Sequence, residues 1–190
     1  ALGITGVPGA WSCSLCLAAG WAAAPDWRQV ADAGRLEFFV TGSGQQAPGV
    51  FGRFMTELRF DPAQPADGRL RVTVATLSAD LDSADINEAI AGPEWFDFAR
   101  FAEAQFDSAA IAADNDGGFV ATGRMRLKGV ERTIDVPFSW SQKGARAVMR
   151  GALVLRRSWF GIGTGEWAAT DIIGDEVRVR FDVTLEEVSR

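Results

Sequence analysis

The sequence predicts an all-β fold: about eight antiparallel strands closed into a barrel or stacked as a sandwich, with a short helix near one end. Three observations lead there. Polar and apolar residues alternate without a miss through residues 69–74, 123–128 and 177–186, a period that puts one strand face in a core and the other in water. Antiparallel sheets with one wet face carry this pattern, whereas buried parallel strands do not. Turn residues separate the runs at fairly regular spacing, at Asp61-Pro62, Asp67-Gly68, Asn115-Asp116-Gly117-Gly118, Lys143-Gly144 and Gly174-Asp175, as in barrels and sandwiches.

The elements follow in order. Residues 1–25 carry no charge, and the apolar run 10–19 is shorter than the roughly 20 residues a membrane helix needs. Ala22 and Ala24 fit a small-residue cleavage site, so residues 1–24 are expected to be a partial secretory signal and 25–190 the folded domain. Cys13 and Cys16 fall inside that leader. Their C-x-x-C spacing lacks the strand-to-helix context of a redox motif and the further ligands of a zinc site. A chain left without thiols suits an oxidising compartment, so the expected location is periplasmic or secreted.

Beyond the leader, Leu36, Phe38 and Val40 share a face, as do Phe54, Thr56, Leu58 and Phe60. Phe106 and Ser108 belong to a run near 104–112. Ile134, Val136, Phe138 and Trp140 alternate with polar residues and Pro137, which cannot donate to a ladder and belongs at an edge or bulge. Met149, Gly151, Leu153 and Leu155 complete the set. Residues 83–90 break the pattern with helical propensity, an N-cap at Ser83 or Asp82, and a stop at Gly92-Pro93. The cluster Trp95, Phe96, Phe98 and Phe101 follows, placed to plug one end of a barrel.

Composition narrows the function. The chain has 13 Phe and 7 Trp but no Tyr and no His, so its large apolar surface comes with almost no titratable handle. A net charge of −6 argues against nucleic acid and against anionic headgroups. Asp80, Asp82, Asp85 and Glu88 cluster near the helix, but their spacing is not a calcium loop, and a solvated helix start explains them. No catalysis, metal or cofactor is expected.

An eight-stranded barrel interior is either filled by side chains or wide enough for one small ligand. In the hollow case, burial at about 0.8 kcal/mol per CH₂ would hold a long hydrocarbon without hydrogen bonds, with any polar head left at the mouth. The candidate ligand-contacting residues are Phe38, Phe54, Leu58, Val72, Val74, Trp95, Phe96, Met125, Leu127, Phe138, Trp140, Leu153, Trp159, Phe160, Val179 and Phe181. Lys128, Arg156 and Arg157, near strand ends, are candidate head-group contacts. In the filled case the protein would be a solid-core module for protein interaction or stress response.

The order of short motifs resembles a known family. Trp27 and Leu36-Glu37-Phe38-Phe39-Val40 lead to Gly49-Val50-Phe51-Gly52-Arg53-Phe54 and Leu58-Arg59-Phe60-Asp61-Pro62. The helix precedes Trp95-Phe96-Asp97. Later come Lys128-Gly129-Val130-Glu131-Arg132, Arg157-Ser158-Trp159-Phe160-Gly161 and Gly174-Asp175-Glu176-Val177. From Trp27 onward the chain is similar to the YceI-like family. The resemblance implies a lipocalin-like antiparallel barrel of eight strands. It further implies an isoprenoid quinone or polyprenyl phosphate bound in the channel, no catalysis and export to the periplasm. Ser14-Leu15 before Cys16 does not fit a lipoprotein site, so no stable membrane anchor is expected. Some family members are associated with membrane b-type cytochromes, which implies a membrane-protein partner. The chain departs from the family in lacking its histidines, with Lys128 at one of their positions, and in having Thr133 where a proline is common. It is therefore not expected to ligate haem, and its ligand head must be recognised differently or not at all.

Overall fold

The computed structural model describes residues 22–189; the expected leader lies outside the described residues except for Ala22, Ala23 and Ala24, and both cysteines lie outside them. The described chain forms β1 (Asp26–Gly42), β2 (Gln45–Phe51), β3 (Phe54–Arg59), β4 (Arg69–Ala75), β5 (Ala79–Asp80), the helix α1 (Ala84–Ile90), β6 (Glu103–Ala113), β7 (Phe119–Leu127), β8 (Val130–Lys143), β9 (Arg146–Arg156) and β10 (Ile173–Glu187).

All neighbouring strands are antiparallel. The sheet runs β1-β3-β4-β6-β7-β8-β9-β10, and β10 pairs back onto β1 to close an eight-stranded barrel. The two short extra strands do not add to that number. β2 continues the line of β3 along β1, and β5 continues β4 along β2. Each of these staves is broken, and the two breaks lie side by side and satisfy each other. Gly52 N–H donates to Ser78 O at 3.0 Å, Ala75 N–H to Arg53 O at 3.0 Å, and Arg53 N–H to Ser78 Oγ at 3.0 Å. β1 bends past its own irregularity between Gln29 and Gly34, where Asp32 adopts φ 58°, a conformation Asp tolerates better than most residues.

Local chemistry explains the other boundaries. β7 and β8 join through Lys128 and Gly129, with φ 49° and 73°, the geometry of a tight two-residue hairpin. The helix starts where expected, with Ser83 Oγ accepting the Ile86 N–H. Pro137 sits just beyond Ser139–Arg150, where the β8–β9 ladder ends, so its missing N–H falls next to an unpaired stretch. One expected turn is corrected: Gly174-Asp175 lies inside β10, and the chain reverses earlier, in the loop 161–172.

The inward residues of the lower half form a solid core. Trp27 is 1% exposed, Phe60 and Leu185 are 0%, and Leu58 is 2%. Phe60 meets Phe119, Phe138 and Trp140 edge-on at 4.8, 5.6 and 5.1 Å, and Trp140 meets Trp27 at 5.1 Å. Such T-shaped pairs add about 0.5–1.5 kcal/mol each beyond area burial. Trp27 Nε1 donates to Phe60 O at 3.1 Å, so the one polar atom of that ring is satisfied.

Outside, charges pair along and across the strands. Glu37 accepts from Arg180 at 2.8 Å and from Arg35 at 2.6 Å. The Arg180 hydrogen bond above all, opposed by desolvation and helped by Arg35, holds its carboxyl below the usual range. Glu131 is likewise held down, first by Arg126. A depressed carboxylate stabilises the fold above its unfolded pKa, and that stability is lost as pH falls through the lower folded value. With no His, no side chain has an ordinary titration between about pH 5 and 8. The urea midpoint is expected to stay flat across that window and to fall only below about pH 5. A midpoint that declines between pH 7 and 5 would contradict this.

Candidate functional site

Above the aromatic core the barrel is hollow. A cavity of about 520 Å³ occupies the half of the barrel nearer α1, within the roughly 300–1,000 Å³ typical of ligand pockets. Its walls are the same alternating positions that fill the core lower down: Leu36, Phe38 and Val40 from β1, Phe54 from β3, Val72 and Val74 from β4, Met125 and Leu127 from β7, Leu153 and Leu155 from β9, and Val177, Val179 and Phe181 from β10. Many of these point inward yet are only half-buried, because they face empty space. Two rings lie across glycines on the next strand, Phe38 over Gly49 and Phe181 over Gly151. A Cβ at either glycine would collide with the ring, so each pair lets a large aromatic lie flat against the wall.

The mouth is made by α1, through Asp85, Ile86, Ala89 and Ile90, and by two loops that carry Trp95, Phe96, Phe160, Ile162 and Trp167. Phe51 bridges Phe38 and Phe96 at 4.9 and 6.4 Å, and Trp95 meets Trp167 at 5.8 Å. The helix and aromatic cluster thus frame the open end, and the end they were expected to plug is not the one that is solid.

Most of the residues proposed from the alternation line this space: Phe38, Phe54, Val72, Val74, Trp95, Phe96, Met125, Leu127, Leu153, Phe160, Val179 and Phe181. Four do not. Leu58, Phe138 and Trp140 have the inward phase but lie in the solid half. Trp159 sits on the turn beside Phe160, and its ring lies 6.0 Å from the Arg132 guanidinium, which donates to the Trp159 carbonyl at 3.0 Å. The sequence reasoning also missed Phe51, Ile86, Ile90, Ile162 and Trp167. Ile86 and Ile90 are one helical turn apart, a spacing that could have found them; Trp167 lies in an irregular loop with no period to reveal it.

The basic candidates have other work. The guanidinium of Arg157, a residue 5% exposed, donates five hydrogen bonds to carbonyls: Gly174 at 3.0 Å, Ile162 at 3.1 Å, Gly163 at 2.8 Å, Ala169 at 3.3 Å and Ile173 at 2.8 Å. Guanidinium has five N–H donors, so none remains for a ligand head. Lys128 Nζ donates to Pro93 O and Gly161 O, both at 2.7 Å, tying the two mouth loops together. Burial is the main influence on its ammonium and pushes its pKa down. Arg156 lines the cavity's edge and faces Glu176 across the strand at 3.9 Å. The reason is common to all three: loop carbonyls and a cross-strand acid need donors where the strands end.

The acidic cluster is likewise structural. Asp80 Oδ1 accepts from Asp82 N–H and from Asn87 Nδ2, both at 2.9 Å, bracing the entry to α1. Among the described residues no three His, Cys, Asp or Glu side chains come together as a metal site. The site therefore offers apolar volume, aromatic faces near the mouth, and at the rim the acidic Asp85 together with Arg156 and the carbonyl-bound Arg157.

Known proteins share this architecture. BcnA of Burkholderia cenocepacia superposes with a TM-score of 0.77 at 34% identity, over 80% of this chain and 95% of its own. A polyisoprenoid-binding domain from Saccharophagus degradans, implicated in plant cell wall breakdown, superposes with a TM-score of 0.68 at 13% identity, over 88% of this chain and 100% of its own. A UPF0312 protein of Shewanella baltica is 26% identical over 135 residues, 71% of this chain, and the matched stretch spans 65% of that protein's own length. Residues 27–185 match the YceI-like domain, and the chain belongs to that family.

Proposed function

We propose that this protein is a non-catalytic binding or carrier protein for a polyisoprenoid-type lipid, held with its tail in the barrel and its head at the mouth. The observation that carries the reading is the apolar cavity, closed at one end by packed aromatics and open at the other. Membership of the family and the likeness to a polyisoprenoid-binding domain support it. The favoured head is uncharged, an isoprenoid quinone over a polyprenyl phosphate. A phosphate at the mouth would meet Asp85, the nearby Arg157 and Lys128 already donate to carbonyls, and Arg156, shared with Glu176 at 3.9 Å, is the one lining cation left to answer it; a poorly paired charge is costly to desolvate. Mouth aromatics such as Phe51, Phe96 and Trp167 suit a planar ring. Periplasmic export and a membrane-protein partner that supplies or receives the lipid complete the proposal.

Organic extraction of the purified protein followed by mass spectrometry tests it. The expected result is a neutral isoprenoid lipid, and a quinone should displace it at concentrations where the matching polyprenyl phosphate does not. Protein that yields no lipid and takes up neither compound would overturn the assignment.

A further inference from the structure

The cavity does not run the length of the barrel. Its lowest level is lined by Leu70, Val136, Met149 and Val183, of which all but Val136 are within 2% of full burial. Met149 pairs with Trp140 across β8 and β9, and Trp140 lies 5.1 Å from both Trp27 and Phe60. Phe60 in turn is braced by Phe119 and Phe138. These rings form a septum across the tube, and interiors packed this densely do not open to admit an alkyl chain.

We propose that this septum sets the tail length the protein holds. A cavity of 150 Å³ takes one benzene ring. On that scale 520 Å³ takes about twenty carbons, on the order of four isoprene units. The inference rests on the lipid-binding reading above and adds a limit to it. Each methylene that enters the cavity strengthens binding about fourfold. Carbons beyond the limit stay outside the mouth and add little. Specificity for tail length thus comes from Met149 and the rings beneath it.

The test is the affinity of the full chain for geraniol, farnesol, geranylgeraniol and solanesol, presented from the same micelles and read by quenching of tryptophan fluorescence. Binding should tighten steeply up to geranylgeraniol, with solanesol within about threefold of it. Leu153→Trp places a ring in the void and should move the plateau back to farnesol. Met149→Ala should deepen the floor and let solanesol gain over geranylgeraniol. If the latter variant does not fold, Leu153→Trp, which fills space and leaves the septum whole, decides alone. Affinity that keeps rising to solanesol in the wild type, or a plateau unmoved by Leu153→Trp, overturns the septum's role. Failure of every alcohol to bind would overturn the lipid reading itself, a separate outcome.

Discussion

Arg157→Ala is expected to destabilise the protein by at least about 3 kcal/mol, lowering Tm by about 6–12 °C for a chain of this size. The five carbonyls that receive its guanidinium span the loop from Ile162 to Gly174, between β9 and the start of β10. A buried acceptor left without a donor costs about 1–3 kcal/mol. Water entering the loosened loop would satisfy part of that loss, so the figure stands below the full sum. Arg157→Lys is expected to rescue little, because an ammonium has three donors on a flexible stem and lacks the planar fork. Thermal melts by circular dichroism check both. A lysine variant that melts with the wild type would show that the charge, not the fork, matters. Gly163 makes the same point from the other side: it has φ 73°, and a Cβ there would press on the Arg157 guanidinium.

Phe181→Glu should abolish lipid retention. Phe181 lies on the cavity wall at the level where hollow gives way to core, across Gly151. A carboxylate there has apolar neighbours, and its desolvation costs several kcal/mol. At 1.4 kcal/mol per tenfold, binding should weaken by at least about 100-fold. Loss of the ring also removes the cover from Gly151, so stability should fall as well. Phe181→Leu separates the two effects: it should keep binding while losing some stability, because it leaves the wall apolar. Lipid recovered at wild-type stoichiometry from folded Phe181→Glu protein would show that this wall is not the binding surface.

These outcomes depend on a fold that was largely visible in the alternation. The longest alternating run, 177–186, lies within β10, 69–74 lies within β4, and 123–128 lies in β7 except for its last residue, Lys128, which starts the turn. Period two reports which face of a strand looks inward, and it does so equally for a filled and a hollow interior. That is why Val179 and Phe138 looked alike, although one borders the cavity and the other lies in the solid core. The difference depends on what stands opposite across the barrel, which no local pattern encodes. Two of the basic candidates were ambiguous for a related reason. Arg157 and Lys128 sit at strand ends, where a cation can meet either a ligand or loop carbonyls. The loop 161–172, which decided between them, has no regular period. In the broken staves, β3 and β4 are legible as strands while β2, β5 and the breaks are not, because Gly52-Arg53 and 76–78 only show their purpose when the two are side by side.

The pairing of β1 with β10 has a consequence for how the molecule is made. The amino-terminal stave can find its final neighbour only after the last fifteen residues of strand have been synthesised. Until then a nascent chain carries two raw sheet edges and an oily inner surface open to water. Its decisive contact must also be found across almost the whole polypeptide, which slows folding. A carboxy-terminal clip that removed β10 would leave, in place of a smaller barrel, an unclosed and sticky sheet.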